Sequence, residues 1–352
     1  MKDVDFSGCW TALVTPMKED GSIDWEGFEK NIEFQISQGI TGILPVGTTG
    51  ESPTLSYKEH NEVIKRAVEI AKGRCFVLAG TGANSVKEAE EFTEEAVKNG
   101  SDCCLLVDPY YNGPSSLEIR KEYYEYIAGK FPEMYFVPYI IPGRTGCALS
   151  PEDLAILGEN FKNIRAVKEA TGDLDRMRKE REILPDDFNI LSGDDDKTFA
   201  MMTDEKIRAT GVVSVISNIM PGFVEKMTRL ILKGNINEAE GLKNKLSPLF
   251  KMVTIKGERK VIIKGKEYVV VDKYRNPLGI KTIMNIFGMP AGLCRSPLGK
   301  MQKDVLENLV DSLKKIYEKN PELFEPIEKF YDVNIKERLN KEKFWKSLSY
   351  SE

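Results

Sequence analysis

The chain has 352 residues, with 50 Lys and Arg against 55 Asp and Glu, a net charge of -5, and 41% hydrophobic residues. That balance describes a globular protein long enough for one large domain or two ordinary ones, and it argues against a nucleic-acid binder, which carries a basic stripe. Residues 1–8 hold no apolar core of signal-peptide length, and no later apolar run approaches the ~18 residues of a membrane helix, so a cytosolic location with no membrane partner is expected.

Taken in order, apolar strand-like runs alternate with helical patterns. Residues 9–16 read as the first strand, and Asp24 caps a helix to about residue 38. The second strand is 42–47 with a helix over 56–72, and the third is 75–82 with a helix over 86–98. The fourth, 103–109, leads into a helix near 117–130, and the fifth, 134–142, into one at 151–160. Strands at 164–171, 188–194 and 211–218 follow, and the eighth helix starts near Pro221. Strands separated by helices need parallel pairing and right-handed crossovers, and eight such units close into a (β/α)8 barrel. An open doubly wound sheet is the alternative, weakened because no G-x-G-x-x-G follows a strand. The division expected is a barrel over 1–225 and a helical C-terminal region over 226–352. Into the latter a β-hairpin is inserted near 260–271, read as a surface feature.

The residue types left for chemistry are few. Six cysteines form no C-x-x-C pair and sit largely in apolar runs, which fits free buried thiols in a reducing compartment. One histidine, His60, argues against a histidine triad or a His-rich zinc site. In a barrel of this kind the functional groups sit at the C-terminal strand ends. Those ends carry Thr48-Thr49 between glycines, Tyr110-Tyr111, Tyr139 and Arg144, Lys168, and Asp194-Asp195. Lys168 in Val-Lys-Glu-Ala would lose its charge if buried and become a nucleophile toward a carbonyl. Hydroxyl and backbone donors at Thr48-Thr49 suit a carboxylate, Tyr139 can pass a proton, and Arg144 can hold a second carboxylate. The bland alternatives are a snorkelling lysine, a capped turn, a core aromatic and a solvated arginine. Their convergence at neighbouring strand ends favours the chemistry.

These markers, Gly47-Thr48-Thr49-Gly50-Glu51, Tyr139-x-x-Pro142 and Lys168 in Val-Lys-Glu-Ala-Thr-Gly, resemble the dihydrodipicolinate synthase/N-acetylneuraminate lyase family of Schiff-base pyruvate aldolases over about residues 6–235. The resemblance implies that pyruvate condenses with Lys168 as an imine, without cofactor or metal, and that the enamine attacks an aldehyde. Thr48-Thr49 together with Arg144-Thr145-Gly146 resembles the synthase branch, whose aldehyde is aspartate semialdehyde, gripped by Arg144. It further implies a proton relay of Tyr139, Thr49 and Tyr111, with Tyr111 entering a neighbour's site in a homodimer or homotetramer. Backbone groups at Thr49 and Val213, beside Thr48, would hold the pyruvate. A lysine effector site would comprise Ser52, Pro53, Tyr57, His60, Asn84, Glu88 and Tyr110. Ile140 stands where the family carries asparagine, and the hairpin and C-terminal extension are also departures. The competing readings are a sugar-acid aldolase or dehydratase of the same family and a non-catalytic ligand-binding barrel.

Overall fold

The computed structural model describes residues 3–351. Strands β1 (Gly8–Ala12), β2 (Gly42–Leu44), β3 (Phe76–Gly80), β4 (Cys103–Val107), β5 (Tyr135–Ile140), β6 (Ala166–Glu169), β7 (Asn189–Ser192) and β8 (Gly211–Ser214) pair in chain order. All pairs are parallel, and β8 returns to β1 to close the expected barrel. Between them run α1 (Trp25–Ser37), α2 (Tyr57–Ala71), α3 (Val86–Lys98), α4 (Ser116–Glu118), α5 (Glu125–Lys130), α6 (Pro142–Thr145), α7 (Pro151–Asn160), α8 (Leu174–Ile183) and α9 (Thr198–Thr203), with α10 (Pro221–Leu232) after β8. Strands such as Gly-Cys-Trp-Thr-Ala are buried along their whole length because barrel interior and helical ring cover both faces. Helix starts follow side-chain caps: Asp24 accepts from Gly27 N, and Ser56 forms a capping box with Glu59.

Local differences from expectation have physical reasons. Every strand ends two to four residues early. The overshooting residues, among them Leu13, Val14, Val46 and Ile216, are apolar because they pack beneath the loops of the barrel mouth, outside the ladder. The helix expected at 117–130 is α4 and α5 joined through a wider π-helical stretch, Ile119–Tyr124. Helices α8 and α9 were not marked by periodicity. The first is mostly charged and the second is six residues long.

Beyond the barrel lie α11 (Ile236–Phe250), β9 (Ile255–Ile263), β10 (Lys266–Tyr274), α12 (Leu278–Phe287), α13 (Lys303–Lys319), α14 (Glu325–Tyr331) and α15 (Ile335–Asn340). The hairpin of β9 and β10 is longer than the 260–271 expected. Its turn residues Lys264 and Gly265 both take positive φ, 51° and 75°, the geometry that matches strand twist in a two-residue loop. A side chain at Gly257 would collide with Val305 of α13, so glycine lets the hairpin base approach that helix closely. One apolar core continues from the barrel through α12, α13 and α15. The Tyr331 hydroxyl donates to Asn31 of α1, and Arg338 donates to the carbonyls of Asn285 and Ile286. Among the described residues no helix is long and apolar enough to cross a membrane.

Candidate active site

Alternation along β6 separates two charged neighbours. Glu169 is fully buried on the helix side, paired with Arg176 of α8 at 3.1 Å. Lys168, 5% exposed, lines a cavity of about 350 Å³ at the barrel mouth together with Thr48, Thr49, Tyr139, Arg144 and Asp194. Burial pushes the Lys168 amine down to about 7, reinforced by the nearby Arg144 charge and opposed by Asp194 and Asp195. The amine lies 4.0 Å from the centre of the Tyr139 ring. Burial raises Tyr139 to about 12, while Arg144 and a hydrogen bond with the Thr48 side chain act in the opposite direction. An amine brought near neutrality thus sits beside a phenol that holds its proton.

The loop after β2 carries the threonines on an unusual backbone. Val46 and Glu51 both have left-handed φ, 51° and 60°, which is strained for a β-branched residue in particular. A Cβ at Gly50 would meet the Val46 backbone nitrogen at 2.9 Å, so the loop closes tightly on itself. What holds it comes from far along the chain. Asn276 Nδ2 donates to Thr49 Oγ1 at 2.9 Å, and Lys281 Nζ bonds Glu51 Oε1 at 2.6 Å. The same segment holds the loop after β5: Arg144 donates to the Asn276 carbonyl at 3.0 Å and Arg275 to the Gly143 carbonyl at 3.1 Å. Motif reading missed Arg275, Asn276 and Lys281, and it named Asp194 without a role. The hairpin is therefore more than a surface feature. Lys256 and Lys273 at its base line the cavity that holds Lys168, and β10 runs directly into Arg275 and Asn276.

The expected residues are placed as follows. Thr48, Thr49, Tyr139, Arg144 and Lys168 share the cavity. The hydroxyl coupled to Tyr139 is that of Thr48, whereas the Thr49 hydroxyl, 2% exposed, accepts from Asn276. Both threonines line the cavity beside Tyr139, and the Thr49 hydroxyl is the one held by the distant Asn276. Val213 is buried in β8 opposite Trp10, and the residue of that strand end lining the cavity is Val215. Ile140 is fully buried and does not line the cavity. Tyr111 is 90% exposed with φ 81° and does not reach the cavity of its own chain.

Of the effector set, Ser52, Pro53 and Tyr110 line an adjoining cavity of about 240 Å³, which shares Thr48, Tyr139 and Arg144 with the catalytic one. The Tyr57 hydroxyl donates to Glu88, and Asn84 is exposed nearby. His60 lies beneath this surface, 1% exposed, stacked on Phe92 at 3.9 Å and pushed down to about 4 by burial. Among the described residues no group of three or more His, Cys, Asp or Glu is placed to hold a metal ion.

The model of the dihydrodipicolinate synthetase family matches residues 5–316. A 4-hydroxy-tetrahydrodipicolinate synthase of Endomicrobium trichonymphae is 40% identical over 309 residues, 88% of this chain and 98% of that protein. The solved structure of the same synthase from Methylacidiphilum fumariolicum SolV is 38% identical with a TM-score of 0.81, covering 92% of this chain and 99% of that one. A synthase structure from Cyanidioschyzon merolae, described with lysine bound, is 31% identical with a TM-score of 0.78, over 88% of this chain and 98% of that one.

Proposed function

The chain belongs to the dihydrodipicolinate synthetase family, and we propose that it uses Lys168 as the Schiff-base amine in condensing pyruvate with L-aspartate semialdehyde to 4-hydroxy-tetrahydrodipicolinate. The observation that carries the residue assignment is a lysine held near neutrality in a cavity with Tyr139, Thr48 and Arg144. Attack of the neutral amine on the ketone of pyruvate, with loss of water, forms the imine. The protonated imine is the electron sink that lets a C3 proton leave, so no metal or cofactor is required. The enamine adds to the aldehyde of the second substrate, and the amino group of that substrate then displaces Lys168 as the ring closes.

In this reading Thr48 and Tyr139 relay protons, and Tyr111 completes the relay from a neighbouring copy. Thr49 with the end of β8, Val213 to Val215, seats the pyruvate carboxylate, and Arg144 takes the carboxylate of the semialdehyde. The exposure of Tyr111 supports a homodimer or homotetramer in which a second copy covers it. Mixing Lys168→Ala subunits with Tyr111→Phe subunits should then regenerate activity, because each mixed dimer holds one site with both groups intact. Equal inactivity before and after subunit exchange would refute the shared site.

Free lysine is the inhibitor we assign to the surface around Tyr57, Asn84, Glu88 and Tyr110, where the Glu88 carboxylate suits an ammonium. His60 supports that surface from below through Phe92. That none of the six cysteines is joined in a disulfide fits a cytoplasmic location. The test of the reaction is coupled turnover with aspartate semialdehyde against sugar-acid aldols, run with and without millimolar lysine. Preference for a sugar acid would overturn the substrate, and indifference to lysine would overturn the effector site.

A further inference from the structure

We infer that Lys256 and Lys273, at the base of the hairpin, form an outer collar that draws carboxylate substrates into the catalytic cavity. The inference rests on the reaction proposed above. Antiparallel pairing places the two lysines directly opposite each other on one face, an arrangement that repels. Elsewhere the same hairpin matches its charges: Arg259 pairs with Asp272 at 2.7 Å, and Lys260 with Glu267 at 3.0 Å. Among the described residues no carboxylate forms an ion pair with Lys256 or Lys273, although Glu258 lies two residues along the same face.

The repelling pair is located where an anion would relieve it. Both lysines line the cavity that holds Lys168 and Arg144, and of its ionisable Lys, Arg and Asp side chains five are basic types and one, Asp194, is acidic. Pyruvate and aspartate semialdehyde each present a carboxylate, and Lys168 must be neutral to react, so without the collar the lining leaves recruitment to Arg144 and Arg275. A pair of exposed basic side chains at the mouth raises the local concentration of anions without disturbing the nucleophile. A breach of local pairing rules that coincides with an active-site rim is where function is expected to outweigh stability.

The test is the paired variant Lys256→Gln/Lys273→Gln, whose positions are exposed. At low ionic strength its kcat/KM for aspartate semialdehyde should fall about three- to fivefold, with the loss in KM. The parent should lose this advantage as salt rises, converging with the variant where the Debye length shrinks to a few ångström. A matched variant at the hairpin tip, Lys260→Gln/Lys264→Asn, removes the same charge away from the mouth. If it falls equally, or if the paired base variant keeps the parent's salt dependence, the collar is overturned while the reaction stands. Borohydride trapping of pyruvate on the parent separates the cases, since absence of any adduct would overturn reaction and collar together.

Discussion

Replacing Lys168 with methionine should abolish the borohydride-trapped pyruvate adduct and lower turnover by on the order of 10⁴-fold or more, while raising thermal stability. The two effects have one cause. The barrel buries an amine whose ordinary value is 10.5 and holds it at about 7, chiefly by desolvation. The folded state therefore binds fewer protons than the unfolded chain between pH 7 and 10.5. Stability contributed by this group rises with pH through that window, and the penalty is full below it. At neutral pH the penalty is on the order of 4 kcal/mol, and a methionine of similar length escapes it without leaving a cavity. The gain in unfolding temperature should thus shrink as pH approaches 10. In the parent, the rate of imine formation should climb with pH through about 7 and then level, since the neutral amine is the attacking form. A variant that unfolds no later than the parent, or a parent whose trapping rate is flat from pH 5 to 8, would contradict the desolvated-nucleophile account.

The parts of this arrangement legible in the chain itself are those that local rules control. Strands buried on both faces read as apolar runs, and Asp24 and Ser56 mark helix starts because their oxygens have orphan amides to satisfy. Lys168, Tyr139, Arg144 and the Thr-Thr pair could be picked out once the barrel was recognised, since strand ends converge at one mouth. Which of the two threonine hydroxyls is held by a distant partner could not. It depends on left-handed conformations at Val46 and Glu51, which no glycine or asparagine at those positions advertises. Nor could Asn276 be paired with Thr49 across 227 residues, because a hydrogen bond between single side chains leaves no periodic trace. His60 shows a similar limit. Its burial follows from stacking on Phe92, a partner on a different helix.

Lys281→Met should destabilise the protein by about 3–5 kcal/mol and slow catalysis, although Lys281 lines neither cavity. Lys281 is 1% exposed, and its three ammonium hydrogens serve Glu51 at 2.6 Å and the carbonyls of Thr15 and Leu293 at 3.2 and 3.0 Å. The second oxygen of Glu51 accepts from the Arg295 backbone at 2.8 Å. Methionine would fill the volume but leave a fully buried carboxylate without its counter-charge, together with two orphaned acceptors. The sites of strain and of catalysis meet here, because Glu51 ends the same left-handed loop that aims Thr48 at Tyr139. Loosening it should lower kcat more than it raises KM for pyruvate. Adding Glu51→Gln to Lys281→Met removes the uncompensated charge and should recover more than half of the lost stability, whereas Glu51→Gln alone should destabilise less than Lys281→Met. If Lys281→Met costs under about 1 kcal/mol in denaturant unfolding, the pair is not what anchors the loop. If stability falls but kcat holds, the Asn276 contact to Thr49 alone suffices to keep the threonines in place.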